Sequence, residues 1–197
     1  GKERIAQAAR LLDPARYPGV ELIAADIFTV AHLKGSFDLI LVHDVIEHIP
    51  DKVRFFELIK EFLRPGGIIF LGFPAWHMPF GGHQQICKSR FLSHLPFFHL
   101  LPRFLYKGIL KAGGEERGTV EELLSIKSCG ITIESCEKFL KRYHYKIERR
   151  KFYFINPHYE IKFGLKPRKL TPWIGRIPYV RNFFCTSCFF IVSDDRS

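Results

Sequence analysis

At 197 residues and 47% hydrophobic content, the chain is long enough to bury one continuous core, which excludes a disordered polymer. Its net charge of +10 raises nucleic acid, anionic membrane or an acidic substrate as partners. The basic residues are spread out, however, with one concentration at Lys141, Arg142 and Lys146 to Lys151, and no nucleic-acid-binding motif surrounds them.

No stretch approaches the roughly 20 uninterrupted apolar residues of a membrane span. The charged start Gly1-Lys2-Glu3-Arg4 lacks the apolar core of a signal peptide. Five scattered cysteines fit reduced thiols rather than a disulfide framework. A single soluble cytoplasmic domain over 1–197 is expected, with peripheral membrane contact left open and the oligomeric state not readable.

In chain order, Ile5, Ala8, Ala9 and Leu12 fall at helical spacing, and Pro14 and Pro18-Gly19 end that helix. A short strand follows over Val20 to Asp26. DLILVHD, ending at Asp44, is an apolar run suited to burial on both faces of a parallel sheet. Asp51 is placed to cap a helix over Lys52–Leu63 with an apolar stripe through Val53, Phe56, Leu58, Ile59, Phe62 and Leu63. Pro65-Gly66-Gly67 turns the chain into IIFLGFP. The pattern predicts parallel strands at Glu21–Ala25, Leu39–His43 and Ile68–Gly72, hence an α/β doubly wound sheet with its ligand beyond the carboxyl strand ends.

Residues 75–118 carry no strand pattern. They are aromatic and histidine-rich, and read as a helical cap insertion. Thr119 with Glu122 forms a candidate capping box for a helix to Cys129-Gly130, and a second helix is expected over Ile133 to Tyr143. Tyr145–Ile155 and Asn182–Val192 read as the last two strands, separated by an irregular excursion over 156–181. Cys185 and Cys188 have the spacing of half a zinc site, but strand alternation would send them to opposite faces, so they are read as structural.

The segments AADIF, SFDLILVHDVIEHIPD and LRPGGIIFLGFP, in this order and spacing, resemble the middle of class I S-adenosylmethionine-dependent methyltransferases, especially the branch that includes the quinone-biosynthesis enzymes. The resemblance implies a Rossmann-like methyltransferase sheet in which these are the third, fourth and fifth strands, with the cap following the fifth. It implies S-adenosylmethionine as cofactor, its adenine edge read by the Asp26 carboxylate and the Ile27 N–H, and its methionine part lying beside His43 and Asp44. Glu47 and His48 match a frequent Glu-His pair in the loop after the fourth strand. The family's glycine-rich first strand end is absent, so the sheet is expected to be N-terminally incomplete by about 50 residues.

Methyl transfer from a sulfonium needs alignment and sometimes a base. It requires no metal, and none is expected. The cap supplies His77, His83, Gln84 and Gln85 beside Trp76 and Phe80, and it is expected to fold over the carboxyl edge of the sheet with Trp76 and Phe80 buried near the methyl-transfer position. His83, next to two glycines, is the first candidate base or acceptor-orienting group, with His48 second. The acceptor is expected to be a small apolar or aromatic molecule. An alternative is a non-catalytic module of the same fold that binds a partner or membrane. An RNA methyltransferase ranks last, because His43-Asp44-Val45-Ile46 stands where nucleic-acid amino methyltransferases commonly carry an Asn-Pro-Pro-Tyr-like motif.

Overall fold

A computed structural model describes residues 2–12 and 16–195. Helix α1 (Lys2–Leu11) comes first; the expected stop at Pro14 lies outside the described residues. Strand β1 (Phe37–His43) is followed by α2 (Lys52–Leu58) and β2 (Leu63–Phe73). The cap carries α3 (Arg90–His94) and α4 (Arg103–Ala112), and leads into α5 (Arg117–Cys129) and α6 (Ile133–Arg142). Strand β3 (Tyr145–Ile155) precedes α7 (His158–Phe163), the two-residue β4 (Arg168–Lys169), α8 (Pro172–Gly175) and α9 (Arg181–Phe184), and β5 (Ser187–Asp194) closes the sheet.

The five strands lie in the order β1-β2-β5-β3-β4. β1 and β2 are parallel, in a register that pairs Leu39 with Ile68 and His43 with Gly72. β5 is inserted between β2 and β3, antiparallel to both. The parallel β1–α2–β2 unit places the end of β1 beside the end of β2, and the chain leaves both ends into the loops that build the site.

One face of the sheet is covered. Val42, Ile69, Leu71, Phe73, Phe190 and Val192 pack against Phe55, Phe56 and Ile59 of the α2 region and Cys136 and Leu140 of α6. Phe56 stacks on Phe139 at 5.1 Å, and the Tyr145 hydroxyl donates to the Phe56 carbonyl at 2.7 Å. Each buried Phe contributes roughly 1.5–3 kcal/mol relative to exposure. A second apolar cluster, formed by Leu92, Phe98, Tyr106, Leu110, Val120 and Leu123, gives the helices of the cap their own packing centre.

Several expectations need correction. Glu21–Ala25 is not a strand: β1 is the edge of the sheet, and in the described structure no ladder holds residues 20–26 extended, so the β-propensity of the segment has nothing to act on. β1 is not buried on both faces either, since Leu39 is 50% and Leu41 68% exposed. These alternate with Ile40 and Val42, and among the described residues no helix covers their side. The Lys52–Leu63 helix tightens to a 3₁₀ turn at Ile59–Phe62, and Leu63 already begins β2.

Thr119 lies inside α5, not at its cap. The ladder already starts with Val120 N–H donating to the Glu116 carbonyl, so no orphan donor awaits the Thr119 hydroxyl. Residues 182–184 form a helical turn rather than strand, because the Asn182 side chain is tied to Glu134 and to the Ile133 N–H. Cys185 therefore precedes β5 and escapes strand alternation. Its Sγ lies 3.4 Å from that of Cys188, both buried.

Candidate functional site at the carboxyl edge of the sheet

Past His43 the chain turns sharply. Asp44 adopts a left-handed backbone (φ 52°), which ends β1 and sends the next residues back over the strand ends. A 3₁₀ turn at Ile46–His48 follows. Ile46 is buried in the core, and this anchors Glu47 and His48 beside the end of the sheet. The Asp51 carboxylate then caps α2 by accepting from the Arg54 N–H, and the Lys52 ammonium donates to the Ile49 and Cys129 carbonyls, fastening the loop to α5.

The cap returns to the same place. His83 also has a left-handed backbone (φ 57°) and lies between glycines and the buried Gln84. The Gln84 amide donates to the Pro79 and Leu95 carbonyls, so the turn that carries His83 is held from below. His83 Nε2 reaches 4.0 Å from Glu47 Oε1, and His48 Nε2 stands 3.9 Å from the same oxygen. The two imidazoles meet edge to face, 5.0 Å between centroids.

Glu47 is 3% exposed, and neither carboxylate oxygen has a hydrogen-bond partner. Burial pushes its carboxyl up to about 7; nearby Asp44 pushes the same way, while the residue's own N–H, too poorly placed to count as a hydrogen bond, and Lys52 pull back. Burial lowers His83 below the ordinary imidazole range, helped by His48. Both shifts follow from removing a charged form from water.

These residues wall a cavity of about 300 Å³ together with Asp44, Met78, Phe80, Gln85, Tyr159 and Lys162. An apolar groove of about 460 Å³ continues from it, sharing Phe80, Gln85, Tyr159 and Lys162 and adding Phe163 and Leu165. A further cavity of about 440 Å³ between α4 and α5, lined by Lys107, Lys111 and Glu115, lies away from the strand ends and includes no histidine.

The sequence-predicted residues thus divide. Asp44, His48 and His83 share one cavity with Glu47, Phe80 and Gln85. Asp26, Ile27 and His43 are not on its wall. The Asp26 carboxylate is exposed and caps the 3₁₀ turn at Ile27–Thr29 by accepting from the Phe28 N–H with one oxygen. His43 is half exposed, its Nδ1 3.1 Å from Asp44 Oδ2, and its ring is parallel to that of Phe70.

Trp76, expected near the methyl-transfer position, is not on the wall of this cavity. It meets His99 edge-on at 4.8 Å, and a Cβ on Gly130 would come within 2.4 Å of its indole. His77 stacks on Phe183 at 5.2 Å. Tyr159 and Lys162 of α7, unassigned in sequence, complete the wall. The run Ile46-Glu47-His48-Ile49, with its charge among apolar residues, is the one signal that could have flagged Glu47 as buried.

Behind the wall, His99 is fully buried; its Nε2 lies 2.9 Å from the Trp76 carbonyl and its Nδ1 3.5 Å from the Gln84 amide nitrogen. That pattern fits the neutral ring donating from Nε2. Burial, outweighing the Trp76 carbonyl and reinforced by Lys127, His77 and His83, lowers its pKa to about 4.

A depressed folded-state value leaves stability intact above the unfolded value near 6.5 and removes it as pH falls from there through about 4. Between pH 7.5 and pH 5 the His99 contribution should be a loss of about 2 kcal/mol. Urea unfolding of the protein and of His99→Asn at the two pH values checks this. Equal pH slopes for both would show that His99 is not the responsible group.

Residues 2–71 match the family model described as a methyltransferase domain. The chain is 35% identical over 72 residues to an uncharacterized methyltransferase of Mycobacterium sp. (strain JLS), a match covering 36% of this chain and 29% of that protein. It is 41% identical over 51 residues to one of Mycobacteroides abscessus, covering 26% and 20%. The chain therefore spans about three-tenths or less of the length of these curated relatives. Among solved structures, a SAM-dependent methyltransferase of Thermotoga maritima, described as a possible histamine N-methyltransferase, aligns over 91% of this chain and 67% of its own at 13% identity and a TM-score of 0.48.

Proposed function

We propose that this chain, whose residues 2–71 match a methyltransferase domain, belongs to an enzyme that transfers a methyl group from S-adenosylmethionine to a small apolar or aromatic acceptor. The observation that carries the site assignment is the convergence of His83, from the cap, on Glu47 and His48, from the loop after β1, in a cavity at the carboxyl edge of the sheet.

The residues present fit parts of the cofactor. Asp26 has an exposed carboxylate with one oxygen engaged by Phe28, leaving acceptor capacity for an exocyclic amine, and Ile27 follows it with its own backbone N–H. These two would hold the adenine edge, and the His43-Asp44 strand end would flank the methionine part. When bound, S-adenosylmethionine supplies an electrophilic methyl group.

The protein's own part is positioning and proton management. The Phe80, Tyr159, Phe163 and Leu165 groove would take an apolar acceptor, desolvating it and limiting its orientations. His83, kept neutral by burial, would accept the acceptor's proton at Nε2 as the methyl group leaves sulfur. The exposed Leu39 and Leu41 on the uncovered sheet face favour the alternative of a binding module. Measurable turnover would decide against a purely non-catalytic role.

Asp26→Ala should weaken S-adenosylmethionine binding by about 1–3 kcal/mol, the cost of leaving buried polar groups of the ligand unpaired. Calorimetry of the variant against the parent protein measures it. Unchanged affinity with an intact fold would restrict Asp26 to its capping role.

A further inference from the structure

We propose that Glu47, His48 and His83 form a binding site for one divalent transition-metal ion of the zinc type. The reading goes beyond methyl transfer and does not depend on it. The donor atoms of the three side chains lie within 4.8 Å of one another. Glu47 is 3% exposed with both carboxylate oxygens unpartnered, an arrangement that is costly unless a counter-charge arrives. The two imidazole nitrogens approach one of those oxygens, but at 3.9 and 4.0 Å neither makes a hydrogen bond to it.

Those separations suit a shared ion. With bonds of about 2.0–2.1 Å at tetrahedral angles, zinc ligands stand about 3.3 Å apart. Inward movement of about half an ångström by each side chain would therefore close the site. Two imidazoles and one carboxylate form a donor set used by open zinc sites, which keep a fourth position for a small ligand. Here that position would face the cavity shared with Asp44 and Tyr159, where a bound ion could hold an oxygen or nitrogen of the acceptor and polarise it. In that state His83 is a ligand rather than a base.

The backbone supports the assignment. Both loops that supply the ligands contain a left-handed non-glycine residue, Asp44 before Glu47 and His83 itself, a conformation that persists only where the surroundings impose it. Gln84, locked to the Pro79 and Leu95 carbonyls, fixes the approach of His83.

The test is titration of the chelator-treated protein with Co²⁺, read by visible absorption and followed by displacement with Zn²⁺. One Co²⁺ per chain is expected, with d–d bands of a four-coordinate nitrogen and oxygen set. Glu47→Gln, His48→Ala and His83→Ala should each weaken binding at least about tenfold, while His32→Ala, at an exposed histidine, should not. Far-ultraviolet circular dichroism establishes that each variant is folded. Should Glu47→Gln misfold, His83→Ala in the cap loop decides.

Absence of stoichiometric binding would overturn the proposal. So would binding that survives all three substitutions. Thiolate charge-transfer bands persisting in the variants would place the ion at the buried Cys185 and Cys188 pair instead, and would overturn it equally.

Discussion

His83→Ala is expected to lower methyl-transfer turnover by about 10²- to 10⁴-fold, the usual contribution of a positioned proton-transfer group, with affinity for S-adenosylmethionine nearly unchanged. The split follows from location. His83 lies in the cavity with Glu47, His48, Phe80 and Tyr159, whereas Asp26 and Ile27, the candidate adenine-binding pair, are not on that wall. Loss of the imidazole should therefore leave the adenine-binding side untouched, and of the candidate cofactor residues only Asp44 shares its cavity. Single-turnover rates and cofactor titration on the same preparation separate the two effects. Turnover reduced less than about threefold, with the fold intact, would remove His83 from the chemistry; an equal loss of cofactor affinity would make its role structural.

Arg181→Met should cost about 3 kcal/mol of folding stability. Arg181 is 6% exposed and donates from Nε to Glu134 at 2.8 Å and from Nη2 to Glu137 at 2.6 Å. Removing one partner of a buried ion pair typically costs about 3–5 kcal/mol, because the remaining charge stays desolvated. The low end applies here. Glu134 retains the Tyr179 N–H and the Asn182 amide, and Glu137 retains Arg150.

Burial alone would raise the Glu134 carboxyl, but hydrogen bonds from Tyr179, Asn182 and Arg181 hold it below its ordinary value. The ionised form is thus the one the fold is built around. A change under about 1 kcal/mol in urea unfolding would mean that the network is effectively solvated. Because a domain has only about 5–15 kcal/mol in total, the predicted loss should be plain in the denaturation midpoint.

What was legible in the sequence was local. β3 runs over the expected Tyr145–Ile155, where β5 pairs with it from Tyr145 to Tyr153. β1 and β2 fall where DLILVHD and IIFLGFP placed them, since each pairs with the other in parallel. The Val20–Asp26 segment shows the limit of such reading: strand-like composition yields a strand only when a neighbour supplies hydrogen bonds, and the described structure offers none there.

The site was half legible. Asp44, His48 and His83 were chosen from their positions at strand ends and in the cap, and the structure brings them to one cavity. Trp76 went astray, because spacing cannot tell which side of the cap an aromatic ring will take, and its side was settled by the close approach of Gly130. The approach of His83 to Glu47 could not be foreseen either. It depends on two left-handed turns 39 residues apart, at Asp44 and His83, and neither is glycine. Nor does spacing reveal that the Glu47 carboxylate is buried without a partner.

Service of this segment in a protein that uses S-adenosylmethionine is most directly tested by isothermal calorimetry of the full-length protein with S-adenosylmethionine. Saturable binding of one cofactor per chain is expected, weakened by about 1–3 kcal/mol in Asp26→Ala and nearly unchanged in His83→Ala. No saturable heat from a folded full-length protein, with competition assays likewise showing no binding, would contradict it.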